Sequence, residues 1–108
     1  MLCWCCDGGA VRLAAKRDAN EAAIVDALIA HGCTVTRLSQ AGVPDLLVGH
    51  FQDHRRRWAL LEVKSGTNRL TPDQRAFMEY HSGCPAYVVR TPQDALDVLQ
   101  VGVVSGVA

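Results

Sequence analysis

The sequence predicts a single α/β domain in the order α-β-β-β-α-β-α, with a mixed sheet flanked by helices. Three observations carry this. Ile24, Val25, Leu28 and Ile29 fall at helical spacing. Between Cys33 and Lys64, three short runs of β-branched and aliphatic residues follow one another across polar gaps. Two similar helix starts, Thr71-Pro72-Asp73-Gln74 and Thr91-Pro92-Gln93-Asp94, then bracket a fourth such run, Ala86 to Val89. At 108 residues the chain can build one core but not two.

Residues 1–17 show no sustained period and are interrupted by Gly8-Gly9, so they read as a weakly ordered arm ahead of a domain at 18–101. Asp18 is placed to cap the first helix, with Glu21 three residues on as in a capping box, and Gly32 ends it. Cys33 to Leu38 reads as a strand, Ser39 to Val43 as a turn. Pro44 cannot donate to a ladder, so the second strand begins near Asp45, runs through Leu46, Leu47 and Val48, and starts to end at Gly49. His50 to Arg57 is polar and reads as an exposed connection. Trp58 to Lys64 is apolar on both faces, as in a sheet interior covered on both sides, with Trp58 in the core. Ser65 to Arg69 is a loop. A threonine cap, a proline at the first helical position and an acid near the positive helix end start a helix at Thr71 that runs to about His81, with Phe77 in the core. The last helix carries Ala95, Leu96, Val98 and Leu99, and residues 102–108 form a tail.

Eleven basic and eleven acidic residues balance, so any nucleic-acid binding must come from local patches rather than overall charge. No apolar run approaches the roughly 18–20 residues of a membrane span, which points to a soluble cytoplasmic protein. Cys3, Cys5, Cys6, Cys33 and Cys84 are odd in number and lack the spacing of a zinc knuckle. They read as reduced thiols.

The chemistry concentrates between Gly42 and Lys64. Asp45 opens one apolar run, and Glu62 and Lys64 close another. Strand side chains alternate, so Glu62 and Lys64 point the same way. If the second and third strands are neighbours, Asp45 and Glu62 converge, and two such charges about 4 Å apart repel by roughly 4 kcal/mol at an effective dielectric near 20. A hard divalent cation, which takes carboxylate and carbonyl oxygens and keeps several waters, offsets that repulsion. It would polarise a phosphoryl oxygen and lower the pKa of a water, with Lys64 orienting the water or offsetting charge on the phosphate. Taken singly, the signals have plainer readings: an acid and a lysine two apart mark a solvated strand face, and Pro-Asp marks a turn.

The series Gly42-Val43-Pro44-Asp45-Leu46-Leu47, Leu61-Glu62-Val63-Lys64 and Leu70-Thr71-Pro72-Asp73-Gln74 resembles the PD-(D/E)XK nuclease superfamily and, within it, the VRR-NUC domain of phage and bacterial proteins. The resemblance spans roughly Asp18 to Leu99. It implies a restriction-endonuclease-like core and a magnesium- or manganese-dependent deoxyribonuclease that prefers branched or structured DNA. Stand-alone domains resembling this one often pair, which implies a homodimer suited to a Holliday-junction-like substrate. By position, Asp45 and Glu62 look like the metal ligands with the carbonyl of Val63 as a third, and Lys64 looks like the catalytic lysine. Gln74 matches the glutamine that supports the lysine or the scissile phosphate, and reads equally as a capping-box residue. Glu21 matches the first-helix acid, and reads equally as the cap partner of Asp18. Arg55, Arg56, Arg57 and Arg69 are candidates for phosphate contact or for solvated turns, as are Lys16 and Arg17. His50 and His54 read as exposed loop residues. The alternative on the same fold is a catalytically inactive nucleic-acid-binding or assembly module.

Overall fold

A computed structural model of the protein describes residues 20–101. The N-terminal arm with Cys3, Cys5, Cys6, Lys16 and Arg17, the expected cap Asp18, and the tail from Gly102 lie outside the described residues. The elements are α1 (Glu21–Ala30), β1 (Thr34–Arg37), β2 (Leu46–Gln52), β3 (Arg55–Val63), α2 (Pro72–Tyr80), β4 (Ala86–Val89) and α3 (Pro92–Leu99). This is the expected order. Among the described residues the first helix has Asn20, not Asp18, at its N-cap, with no side-chain capping bond.

The strands form one four-stranded sheet in the order β1-β2-β3-β4. β2 runs antiparallel to both β1 and β3, and β4 runs parallel to β3, a return that needs a crossover; α2 lies within it. One face of the sheet carries Leu46, Val48, Ala59, Leu61, Val63 and Val89, and packs with Ile24, Val25 and Leu28 of α1 and Ala95, Leu96 and Leu99 of α3 into the core.

The other face is covered only in part. Helix α2 buries no residue fully, and Phe77, expected in the core, is half-buried. Trp58, also expected there, is 63% exposed. The reason is strand length. β1 pairs with Leu46 to Gly49 and β4 with Leu60 to Val63, so the hairpin from about His50 to Trp58 projects beyond both neighbours. The polar stretch from His50 to Arg57 is therefore not a loop. Strand pairing continues to Gln52 opposite Arg55, and only Asp53 and His54 turn the chain, at φ 54° and 66°. Two successive positive φ values match the strand twist in a two-residue hairpin.

Candidate active site

The register places the carboxylates. Leu46 pairs with Leu61, so one step further along the same antiparallel count Asp45 stands opposite Glu62. Asp45 lies just ahead of β2, after the buried Pro44, which has no N–H to extend the ladder. Its carboxylate takes up part of the ladder's role: the Val63 backbone N–H donates to Asp45 Oδ2 at 2.8 Å. Its own carbonyl accepts from the Leu38 N–H at 2.7 Å. Asp45 is thus tied to β3 and to the end of β1.

Glu62 is 2% exposed. It points away from the α1–α3 core, on the face that also carries Leu60 and its register partner Val88. Lys64 Nζ lies 3.6 Å from Glu62 Oε2, and the Gln74 amide donates to the same oxygen at 3.0 Å. Burial, followed by the charge of Asp45 and the hydrogen bond shared with it, pushes the Glu62 carboxyl up to about 8, against the opposing pull of Lys64. Two converging carboxylates, one strained toward neutrality, form an oxygen-only donor set that fits a hard divalent cation. Among the described residues no group of three His, Cys, Asp or Glu side chains converges, so the remaining positions would fall to waters and backbone oxygen.

Gln74 forms the expected capping box, and its remaining amide group meets Glu62. Its Oε1 accepts from the Thr71 N–H at 2.9 Å while its own N–H donates to Thr71 Oγ1 at 3.2 Å, a complete capping box. With the amide oxygen committed to the cap, the NH2 group is directed at Glu62 rather than at the lysine. Helix nucleation and carboxylate support are one interaction set.

Asn20 is the residue that sequence reasoning missed. Its side chain donates to the Lys64 carbonyl at 3.0 Å and to the Arg90 carbonyl, and accepts from Ser65 Oγ at 2.9 Å. It locks the start of α1 to the ends of β3 and β4. An asparagine just before a helix was the available signal, though it does not announce partners 44 and 70 residues away. Glu21, beside it, is buried and paired with Arg37 Nε at 2.9 Å.

The three adjacent arginines are split by strand alternation. Arg56 shares the carboxylate face and sits over the Phe51 ring, 5.8 Å from its centroid. Arg55 and Arg57 point to the opposite face. His50, expected in an exposed loop, is a buried strand residue opposite Arg57. Burial and then the Arg57 charge hold its imidazole below the ordinary range. His54 forms the turn, and Arg69 is exposed on the loop between β3 and α2.

No described helix is long and apolar enough to cross a membrane. No curated protein and no solved structure matches the chain. The family model of the VRR-NUC domain matches residues 5–92, taking in the carboxylate pair, the lysine and the glutamine. The chain therefore belongs to the VRR-NUC domain family, which implies a nuclease-type function and DNA binding.

Proposed function

We propose that the protein is a magnesium- or manganese-dependent deoxyribonuclease that hydrolyses phosphodiester bonds at Asp45, Glu62 and Lys64. The observation that carries this is the buried Glu62 carboxylate, opposite Asp45 in the strand register, with Lys64 at 3.6 Å and Gln74 at 3.0 Å on one of its oxygens. Asp45, Glu62 and the Val63 carbonyl would hold the cation, which supplies Lewis-acid polarisation of the phosphoryl group and a water of lowered pKa.

The chain's own residues do the rest. The Val63 N–H holds Asp45 Oδ2 and fixes that carboxylate against β3. Gln74, itself held by the helix cap, keeps Glu62 oriented. Lys64 is close enough to Glu62 to share its charge and short enough of full burial, at 11% side-chain exposure, to meet a phosphate and offset the charge that develops on it. Glu21 would act as the first-helix acid, its carboxylate held by Arg37 Nε at 2.9 Å. Arg55, Arg56, Arg57 and Arg69 would contact DNA phosphates.

A domain this small offers little surface for a duplex, which supports action as a homodimer with two sites on branched, Holliday-junction-like DNA. The test is cleavage of linear, flap, fork and four-way-junction DNA with magnesium or manganese. Metal-dependent cleavage lost in both Asp45→Ala and Lys64→Ala is the expected result; cleavage that survives both refutes the assignment.

A further inference from the structure

Beyond the carboxylates, the same face of the hairpin carries a second, largely exposed set of residues. Strand alternation puts Trp58, Leu60 and Glu62 of β3 on one face with Phe51 and Gly49 of β2. Leu60 is half-buried and Glu62 buried, yet Trp58 is 63% and Phe51 56% exposed. The Trp58 ring rests over Gly49: a Cβ built there would stand 3.2 Å from its Cζ3. One side of the indole is thus supported by backbone while much of the ring stays open to solvent. Arg56 lies between the two aromatic residues in sequence register, with its guanidinium over Phe51.

We propose that Phe51, Arg56 and Trp58 form a base-stacking platform that engages unpaired nucleotides of the DNA substrate alongside the carboxylate site. This rests on the reading of that site as the cleavage centre for its choice of ligand. A base offers its π-face to a protein aromatic ring only where it has left the stack, so the platform discriminates flaps, gaps and branch points from continuous duplex. Spacing agrees with this. Four residue steps along β3 separate Trp58 from Glu62, about 13 Å at about 3.3 Å each, so a strand held on the indole reaches the carboxylates within a few nucleotides. Charge decides against a second copy of this chain as the occupant. Arg56, the arginine on this face, would face its own copy across a two-fold contact and repel, whereas a polyanion neutralises it.

The test uses the full chain in EDTA, so that binding is read without cleavage. Fluorescence anisotropy compares a labelled oligothymidylate, a blunt duplex of the same length and a duplex carrying a single-stranded flap. The protein is expected to bind the oligothymidylate and the flap several-fold more tightly than the duplex. Trp58→Ala should lose on the order of 10-fold of that single-strand affinity, the size of one lost stacked base, with duplex binding within about twofold and Trp58→Phe retaining most of the affinity. Single-strand binding by Trp58→Ala within twofold of the parent overturns the platform. So does a Trp58→Ala variant that sediments as a monomer where the parent is a dimer, with oligonucleotide affinity per chain unchanged, because the face then serves a second copy. If Asp45→Ala still cleaves while Trp58→Ala loses single-strand affinity, the cleavage assignment fails and the platform stands.

Discussion

Asp45 and Glu62 at one end of the β2–β3 hairpin, and Arg55 to Trp58 at the other, belong to the same two strands and treat their polar groups in opposite ways. At the closed end, β1 and β4 flank the pair, and polar groups are held by specific partners: Val63 N–H on Asp45, Gln74 and Lys64 on Glu62, Asn20 on the Lys64 carbonyl. At the projecting end the neighbouring strands have run out, so arginines and aromatic rings face water with a single cation–π contact between Arg56 and Phe51. Burial, and then the neighbouring Asp45, push the Glu62 carboxyl up to about 8 in the first setting, whereas exposed charges interact by about 1 kcal/mol or less. The closed end stores electrostatic energy that a cation can use. The projecting end remains adaptable.

This contrast is broken most severely at Lys64. Lys64→Ala should lower kcat by about 10²–10³-fold with little change in KM, in single-turnover cleavage at saturating magnesium; a loss confined to KM would move the lysine to the binding end. Glu62→Gln gives the next largest effect, read as stability against pH in the metal-free protein. The folded carboxyl titrates near 8 and the unfolded one near 4.5. Between those values the folded state holds a proton that the unfolded state gives up, so this group's contribution to stability falls as pH rises from about 4.5 to about 8. A glutamine mimics the protonated acid and removes the fall. The variant should match the parent near pH 4 and exceed it at pH 9 by on the order of a few kcal/mol, measured by denaturant melts; equal pH profiles would mean that Glu62 is not strained.

Gln74→Ala should cost about 1 kcal/mol of stability through the capping box and about 10-fold in rate through Glu62. Gln74→Glu separates the two, restoring the cap but not the rate, because it adds a third carboxylate. The smallest change belongs to the projecting end. Arg56→Ala should leave kcat unchanged while flattening the dependence of log Kd on log salt by about 0.7 to 0.9, one phosphate contact fewer.

The closed end was legible in the sequence for a physical reason. Charges at the ends of strongly apolar runs are expensive, and the spacing of Glu62 and Lys64 fixes a shared face whatever the sheet does around them. The Thr71 to Gln74 box was legible locally, and its second role followed from where the helix lands. The projecting end was not legible. Past the buried His50 the ribbon is exposed or half-exposed on both faces and carries no apolar alternation, so His50 to Arg57 had the composition of a loop although it is mostly strand. Trp58 continued an apolar run, and nothing local to it shows that β4 stops short. Asn20 was hidden because its partners are brought together only by the folded sheet.

The central claim is that Asp45 and Glu62 together hold one divalent cation per chain. Manganese binding followed by electron paramagnetic resonance tests it directly, with the parent protein, Asp45→Asn and the double variant Asp45→Asn, Glu62→Gln at pH 8. The account predicts one site per chain in the parent, weakened at least tenfold in the single variant and absent in the double. Undiminished manganese binding by a folded double variant would contradict it.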